Sequence, residues 1–199
     1  MAAMSTHSRS GVAGRRARRR AERRRARIQT WLLVGGGLLV FGALIVWSLS
    51  PKGGGARPAR IGSELDDFVL ADMGGHPVRL SDYQGQVVLV NGWATWCPPC
   101  RAEMPTLQAF YDKHQDEGFT LLAINAGESQ PTVSGFVSQM GFSFPVLLDP
   151  GERVLSSLGT SGLPTSFVIG RDGKVKYIHA GGITADVLEA RVAPLLAKQ

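Results

Sequence analysis

The chain of 199 residues has only two cysteines, Cys97 and Cys100, and four histidines, His7, His76, His114 and His179, which show no paired spacing. Two thiols exclude a disulfide scaffold and a four-thiolate zinc site, and the scattered histidines supply no ligand set for a metal. No internal repeat is present. The length leaves room for one ordinary domain plus accessories. With 44% hydrophobic and 19% charged residues, a segment of ~150 residues can bury a sizeable core, so disorder throughout is excluded. The net charge of +6 suggests a nucleic-acid binder until it is divided at Pro51. Residues 1 to 50 carry ten Arg against one acid, or +9, and the remainder carries 12 Lys and Arg against 15 Asp and Glu, or −3. The basicity belongs to the tail.

Nine Arg lie between Arg15 and Arg27, and Trp31 to Leu49 then runs without a charge. Nineteen residues at ~1.5 Å each reach roughly 28 Å as a helix, close to the ~30 Å hydrocarbon thickness of a bilayer. The segment is apolar all round, with Trp31 and Trp47 near its ends as interfacial anchors. The pattern predicts a basic cytoplasmic tail over 1–30, a single transmembrane helix over 31–49 and everything after Pro51 outside, because Arg clusters stay on the cytoplasmic side. Leu49-Ser50-Pro51-Lys52 offers no good cleavage site, which favours an uncleaved signal anchor. No Cys follows the span to carry a lipid, and no two of its glycines stand four apart as a pairing face. Basic arms also bind nucleic acid through phosphates, but topology already explains this one, and no nucleic-acid partner is expected. Residues 50–60, with Gly53-Gly54-Gly55 and two Pro, read as a flexible linker, leaving 61–199 as the exported domain.

Along that domain strand-like and helix-like patterns alternate, which indicates an α/β layer fold. Asp67 to Ala71 and Pro77 to Leu80 flank Gly74-Gly75 as a hairpin, and Gln86 to Asn91 is an apolar run of the kind buried on both faces, the expected central strand. A helix is predicted from the cysteines to about Gln115, then a strand over Phe119 to Asn125 and a helix over Pro131 to Met140. A short strand over Pro145 to Leu148 and a short helix over Glu152 to Leu158 come next. Thr165 to Ile169 and Lys174 to His179 form a second hairpin about Asp172-Gly173, and one closing helix runs from Thr184 to Ala197.

Two cysteines at this spacing, where a strand turns into a helix, have a specific physical meaning. The first sulfur sits at the positive helix end, where unpaired backbone N–H groups favour a thiolate, so Cys97 is the expected nucleophile. Pro98 suits the first helical position because its missing N–H costs nothing there. Cys100, one turn deeper, is expected to be buried and within reach of a mixed disulfide at Cys97. Pro105 removes the bond to the Arg101 carbonyl and predicts a kink. A purely structural bridge would constrain little of the unfolded chain across so small a ring. A Cys-His hydrolase would need an oriented His and would leave the second Cys unexplained. The context favours redox chemistry.

The run Trp93-Ala94-Thr95-Trp96-Cys97-Pro98-Pro99-Cys100-Arg101-Ala102-Glu103-Met104-Pro105, with Gly162-Leu163-Pro164-Thr165 downstream, resembles the membrane-tethered thioredoxin-like reductases of the TlpA and ResA group. The resemblance covers Ile61 to the C-terminus. It implies a thioredoxin fold with an N-terminal β-hairpin extension and a central insert, a redox-active disulfide, and neither cofactor nor metal. Cys97 and Cys100 would be catalytic, supported by Trp96, Pro98, Pro99, Glu103, Asn91, Leu163 and Pro164. By the same resemblance the peptide before Pro164 is cis and places the Leu163 backbone beside Cys97 to pair with an extended substrate, whereas most X-Pro bonds are trans. Asn91 stands where cytosolic thioredoxins have a buried Asp, which makes Glu103 the substitute acid for a proton relay under Cys100. The plain alternative for Glu103 is an acid in the first helical turn that merely favours the dipole. Gly92 departs from the bulky apolar residue usual in the family, and marks either weakened packing or a close backbone approach.

The activity implied is reduction of client protein disulfides, with recharging by a transmembrane thiol donor of the CcdA or DsbD kind, at a bacterial cell membrane and with cytochrome c maturation among the settings. An oxidase or isomerase would use the same residues. Related peroxidases carry Pro and Thr seven and three residues before their Cys, where this chain has Val90 and Ala94. The cytochrome c maturation branch typically has Glu-Thr after the cis Pro, where Thr165-Ser166 stand here. A different class is a metallochaperone on the same fold; copper-delivering relatives space their Cys three apart with a His ligand, unlike the pair here.

Overall fold

The computed structural model describes residues 58–197. The strand-like segments form one seven-stranded sheet in the order β2-β1-β5-β4-β3-β6-β7. Their bounds are β1 Val69–Asp72, β2 Pro77–Arg79, β3 Val87–Trp93, β4 Phe119–Ala126, β5 Val146–Asp149, β6 Thr165–Ile169 and β7 Val175–Ala180. The α-helices are α1 Pro98–His114, α2 Gln130–Met140, α3 Arg153–Ser157, α4 Ala185–Arg191 and α5 Ala193–Leu196. Strands β3, β4 and β5 run parallel, whereas β1, β6 and β7 join antiparallel.

Every residue of β3 and β4 is buried, as the unbroken apolar runs predict for strands covered on both faces. Successive side chains point to opposite faces. Val87, Leu89 and Trp93 therefore join Met104, Leu107 and Phe110 of α1 and Leu188 of α4 in one core cluster. Val88 and Val90 join Leu155 of α3 and Phe167 of β6 in the other. Asn91 shares the parity of Leu89 and Trp93, which puts the one polar side chain of that series on the α1 side.

The N-terminal hairpin closes on Asp72, whose Oδ1 accepts the N–H groups of Gly74 and His76 at 2.8 Å each, with Gly75 at φ 83°. It pairs with β5 through Ala71 and Leu148. That addition makes β4, rather than β3, the middle of the seven strands; β3 remains central among the other five. Helix α2 and strand β5 form the central insert.

Most element bounds shift by one or two residues from the sequence expectation, and two departures have a structural cause. The closing helix is two helices broken at Val192, because Pro194 has no N–H for the Ala190 carbonyl and its ring crowds that turn. The fold also begins before Ile61: the Ala59 N–H donates to the Leu158 carbonyl at 3.0 Å. Helix α1 continues through Pro105 to His114. Among the described residues no helix is long and apolar enough to cross a membrane. The basic tail, the span expected at 31–49 and the linker as far as residue 57 lie outside the described residues.

Candidate active site

Strand β3 ends at Trp93, and Ala94 to Trp96 form a turn in which the Cys97 N–H donates to the Ala94 carbonyl at 3.2 Å. Cys97 is the N-cap of α1, in extended conformation, with prolines opening the helix behind it. Its Sγ accepts the Cys100 N–H at 3.3 Å, so a helix-terminal donor aims at the first sulfur, as the spacing predicts. Cys97 and Cys100 are joined as a disulfide with Cα atoms 5.3 Å apart. Cys97 keeps 3% of its surface exposed and Cys100 none, while the neighbouring Trp96 is 67% exposed. Pro98 and Pro99 are exposed as well. A partner sulfur therefore has access to Cys97 alone, past a rim of apolar rings.

The Leu163–Pro164 peptide is cis, at the start of β6. Pairing of Gly92 with Thr165 brings it to the same end of the sheet as the cysteines. Gly92 is explained by its surroundings: a Cβ there would lie 2.9 Å from Leu155 Cδ2 and 3.5 Å from Leu163 Cδ2. The Leu155 side chain of α3 takes the space that a larger residue would fill, so the glycine marks a close approach by a side chain rather than loose packing.

Glu103 is not in the first turn of α1, which begins at Pro98; it is the sixth helical residue and is 4% exposed. Its Oε1 accepts from Asn91 Nδ2 at 2.9 Å and its Oε2 from the Ile183 N–H at 2.7 Å. Asn91 Nδ2 also donates to Ser166 Oγ at 3.0 Å, while Asn91 Oδ1 is buried without a partner. Burial pushes the Glu103 carboxyl up to about 7, against the two hydrogen bonds that favour its charged form. It lies three residues after Cys100, and residues at that spacing are neighbours on a helix surface. A carboxyl with this proton affinity gives and takes a proton near neutral pH.

A second acid escaped the sequence reading. Glu128 accepts the Thr95 N–H at 2.7 Å and the Asn125 Nδ2 at 2.8 Å, and also binds the Thr95 hydroxyl. Partial burial works against its charge, but the bonds from Thr95 and Asn125 outweigh it and hold the carboxyl below its ordinary range. Glu128 thereby pins the turn before Cys97 to the end of β4. The available signal was Asn125 and Glu128 placed just as an apolar strand ends. Among the described residues no three His, Cys, Asp or Glu side chains come together to hold a metal ion.

The family model described as Redoxin matches residues 60–193. The chain belongs to the Redoxin family. Within it, the thiol-disulfide oxidoreductase ResA of Geobacillus kaustophilus is 41% identical over 129 residues, covering 65% of this chain and 74% of the relative. ResA of Halalkalibacterium halodurans is 37% identical over 131 residues, covering 66% and 74%. Among solved structures, a thiol:disulfide interchange protein of the thioredoxin family from Chlorobium tepidum matches with a TM-score of 0.61 and 28% identity, over 71% of this chain and 99% of that one. A secreted thiol-disulfide isomerase from Corynebacterium glutamicum matches with a TM-score of 0.61 and 28% identity, over 75% and 96%. This Redoxin-family chain has the thioredoxin-like α/β fold and is a thiol-disulfide oxidoreductase of ResA type.

Proposed function

We propose that the chain is a membrane-tethered reductant of protein disulfides outside the cytoplasm, with Cys97 as attacking sulfur, Cys100 as resolving sulfur and Glu103 as the proton acceptor for Cys100. The observation that carries this reading is the buried Glu103 carboxyl, hydrogen-bonded to Asn91 and Ile183 one helical turn from Cys100. In the reduced protein the Cys97 thiolate attacks a client disulfide, forming a mixed disulfide and releasing one client thiolate. Cys100 passes its proton to the Glu103 carboxylate, and the new thiolate attacks Cys97 Sγ. The second client sulfur leaves, and the enzyme holds the disulfide described above. Two electrons have moved to the client. Trp96, Pro98, Pro99 and Leu163 form the apolar rim against which an extended client segment lies, and the cis Leu163–Pro164 peptide presents backbone to it.

A thiol held reduced outside the cell must be recharged from inside. The anchor predicted at 31–49 supports this, since tethering raises the effective concentration of the site near a membrane electron carrier. The donor is then a transmembrane thiol transporter of the CcdA or DsbD kind. Cytochrome c precursors, whose haem-binding cysteines must be reduced, are a fitting client class. The alternative is oxidation or isomerisation by the same sulfurs. An acid beside the pair opposes strong thiolate stabilisation, and weak stabilisation keeps a dithiol reducing.

Two measurements test the reading. Cys100→Ser should accumulate mixed disulfides with clients, and Cys97→Ser should not. The potential, from equilibration with glutathione and dithiothreitol, should lie nearer the ~−270 mV of thioredoxin. A value more positive than ~−180 mV, with the pair fully oxidised in growing cells, would replace reduction by oxidation or isomerisation.

A further inference from the structure

The loop after β7 contains a contact used by neither the thiol chemistry nor the sheet. His179, half-buried near the end of β7, places Nε2 3.2 Å from the Gly182 carbonyl oxygen. A carbonyl only accepts, so the ring hydrogen in this bond is on Nε2. Nδ1 lies 3.3 Å from Tyr177 Oη and, in the neutral ring, accepts the phenol hydrogen. The Gly182 carbonyl and the Ile183 N–H are the two ends of one planar peptide unit. That N–H is the one that donates to Glu103 Oε2 at 2.7 Å.

A single peptide thus joins an imidazole near the surface to the buried carboxyl beside the cysteines. Its two flanks differ: Ile183 is buried in the core, whereas the side toward Gly181 is glycine. Gly181 and Gly182 are both exposed, and glycine backbones turn with little steric resistance. The Gly181 N–H donates to the Pro164 carbonyl at 2.9 Å, which holds the Ala180–Gly181 peptide two before this one, while the Gly182 carbonyl is met by the His179 ring.

We propose that His179 is a positioning residue for the redox centre: its Nε2–H holds the Gly182–Ile183 peptide in the orientation that keeps the Ile183 N–H on Glu103. The inference rests on the place given to Glu103 in the reading above, and its test reads Glu103 itself. Hydrogen bonding at the carbonyl end also polarises the amide end. Without His179 the Glu103 carboxylate loses an oriented donor and binds its proton more tightly. The titratable group in direct contact with His179 is Tyr177 on its own strand, and Glu103 of α1 is reached through the peptide. Arg191 of α4 stacks on the Tyr177 ring at 5.0 Å.

The test is an infrared titration of the oxidised full-length chain in detergent, with the Glu103→Gln spectrum subtracted so that the Glu103 carboxyl band stands alone. Its midpoint near pH 7 in the wild type should rise by about 0.5 to 1 pH unit in His179→Phe, which keeps a ring but has no donor. His179→Gln, whose amide N–H reaches the same carbonyl, should restore it. His179→Ala serves as the second donorless variant if the larger ring disturbs folding, with circular dichroism confirming the fold of each. An unchanged midpoint in a folded donorless variant, or an equal rise in His179→Gln, overturns the proposal. Failure of the relay reading looks different: Glu103→Gln would then leave the rate of disulfide exchange unchanged, whatever the midpoint does.

Discussion

Replacing Glu103 by Gln removes the one carboxyl that the fold encloses beside its cysteines, and the consequence for stability can be worked out. The carboxyl is raised from its ordinary value of 4.5 to about 7, chiefly by burial. Its stabilising contribution as a neutral group is fully present below pH 4.5 and is lost as pH rises through about 7, because over that range the unfolded chain has given up a proton that the folded state still holds. Each pH unit between the two values is worth ~1.4 kcal/mol, so ionisation costs up to about 3 kcal/mol at pH 8. Glu103→Gln escapes that cost. Its amide fits if Asn91 turns its side chain over: the unpartnered Asn91 Oδ1 then accepts from the glutamine Nε2, and the glutamine oxygen keeps the Ile183 N–H. Urea unfolding of the oxidised protein should show the variant gaining on the wild type from pH 4.5 to 8, by up to about 3 kcal/mol across that range, with unchanged denaturant slopes. A pH-independent difference, or a wild type that gains on the variant as pH rises, would refute the argument that burial controls this carboxyl.

The other predictions follow from contacts of known geometry. Gly92→Ala forces Leu155 aside from a 2.9 Å approach and should cost about 1–3 kcal/mol in chemical denaturation; adding Leu155→Ala should give a double variant less destabilised than the sum of the two single changes. Glu128→Gln weakens the pin on Thr95 and should lower stability by about 1–3 kcal/mol at neutral pH. Because this carboxyl is held below its ordinary range, its contribution is present above that range and lost as pH falls, so the difference from wild type should shrink in acid; thermal melts at pH 7 and pH 3 check this. Alkaline phosphatase fused after Gln199 should be active in cells and the same fusion after Arg27 inactive, as a single span with the Arg cluster inside requires.

Local pattern was sufficient for much of this protein. Unbroken apolar runs mark strands buried on both faces, and β3 and β4 are such strands; Gly74-Gly75 and Asp172-Gly173 mark the hairpins; Cys97-Pro98-Pro99-Cys100 after a strand marks a helix N-terminus with a sulfur at its cap. These features depend on neighbours within a few residues, where backbone sterics and helix-end hydrogen bonding act. Redox chemistry followed from them. Pro194, by contrast, broke a helix that apolar spacing alone would continue, and that break was legible in the residue but outvoted by the pattern.

Tertiary structure decided the proton chemistry and the shape around the sulfurs. In the sequence Glu103 is a candidate relay acid only through the family resemblance and otherwise an acid in the first helical turn; its hydrogen bonds come from Asn91 twelve residues away and Ile183 eighty residues away, brought together by the order of strands in the sheet. Glu128 grips Thr95 across a separation of 33 residues, and Leu155 meets Gly92 from the opposite layer. The tie from His179 through one peptide to Glu103 has no local sequence signature. A charge's cost depends on the water removed from it and on donors arriving from other elements. Both are set by packing between distant segments, which is why the chain by itself names the sulfurs and the candidate acid, while the fold decides that acid's burial and partners.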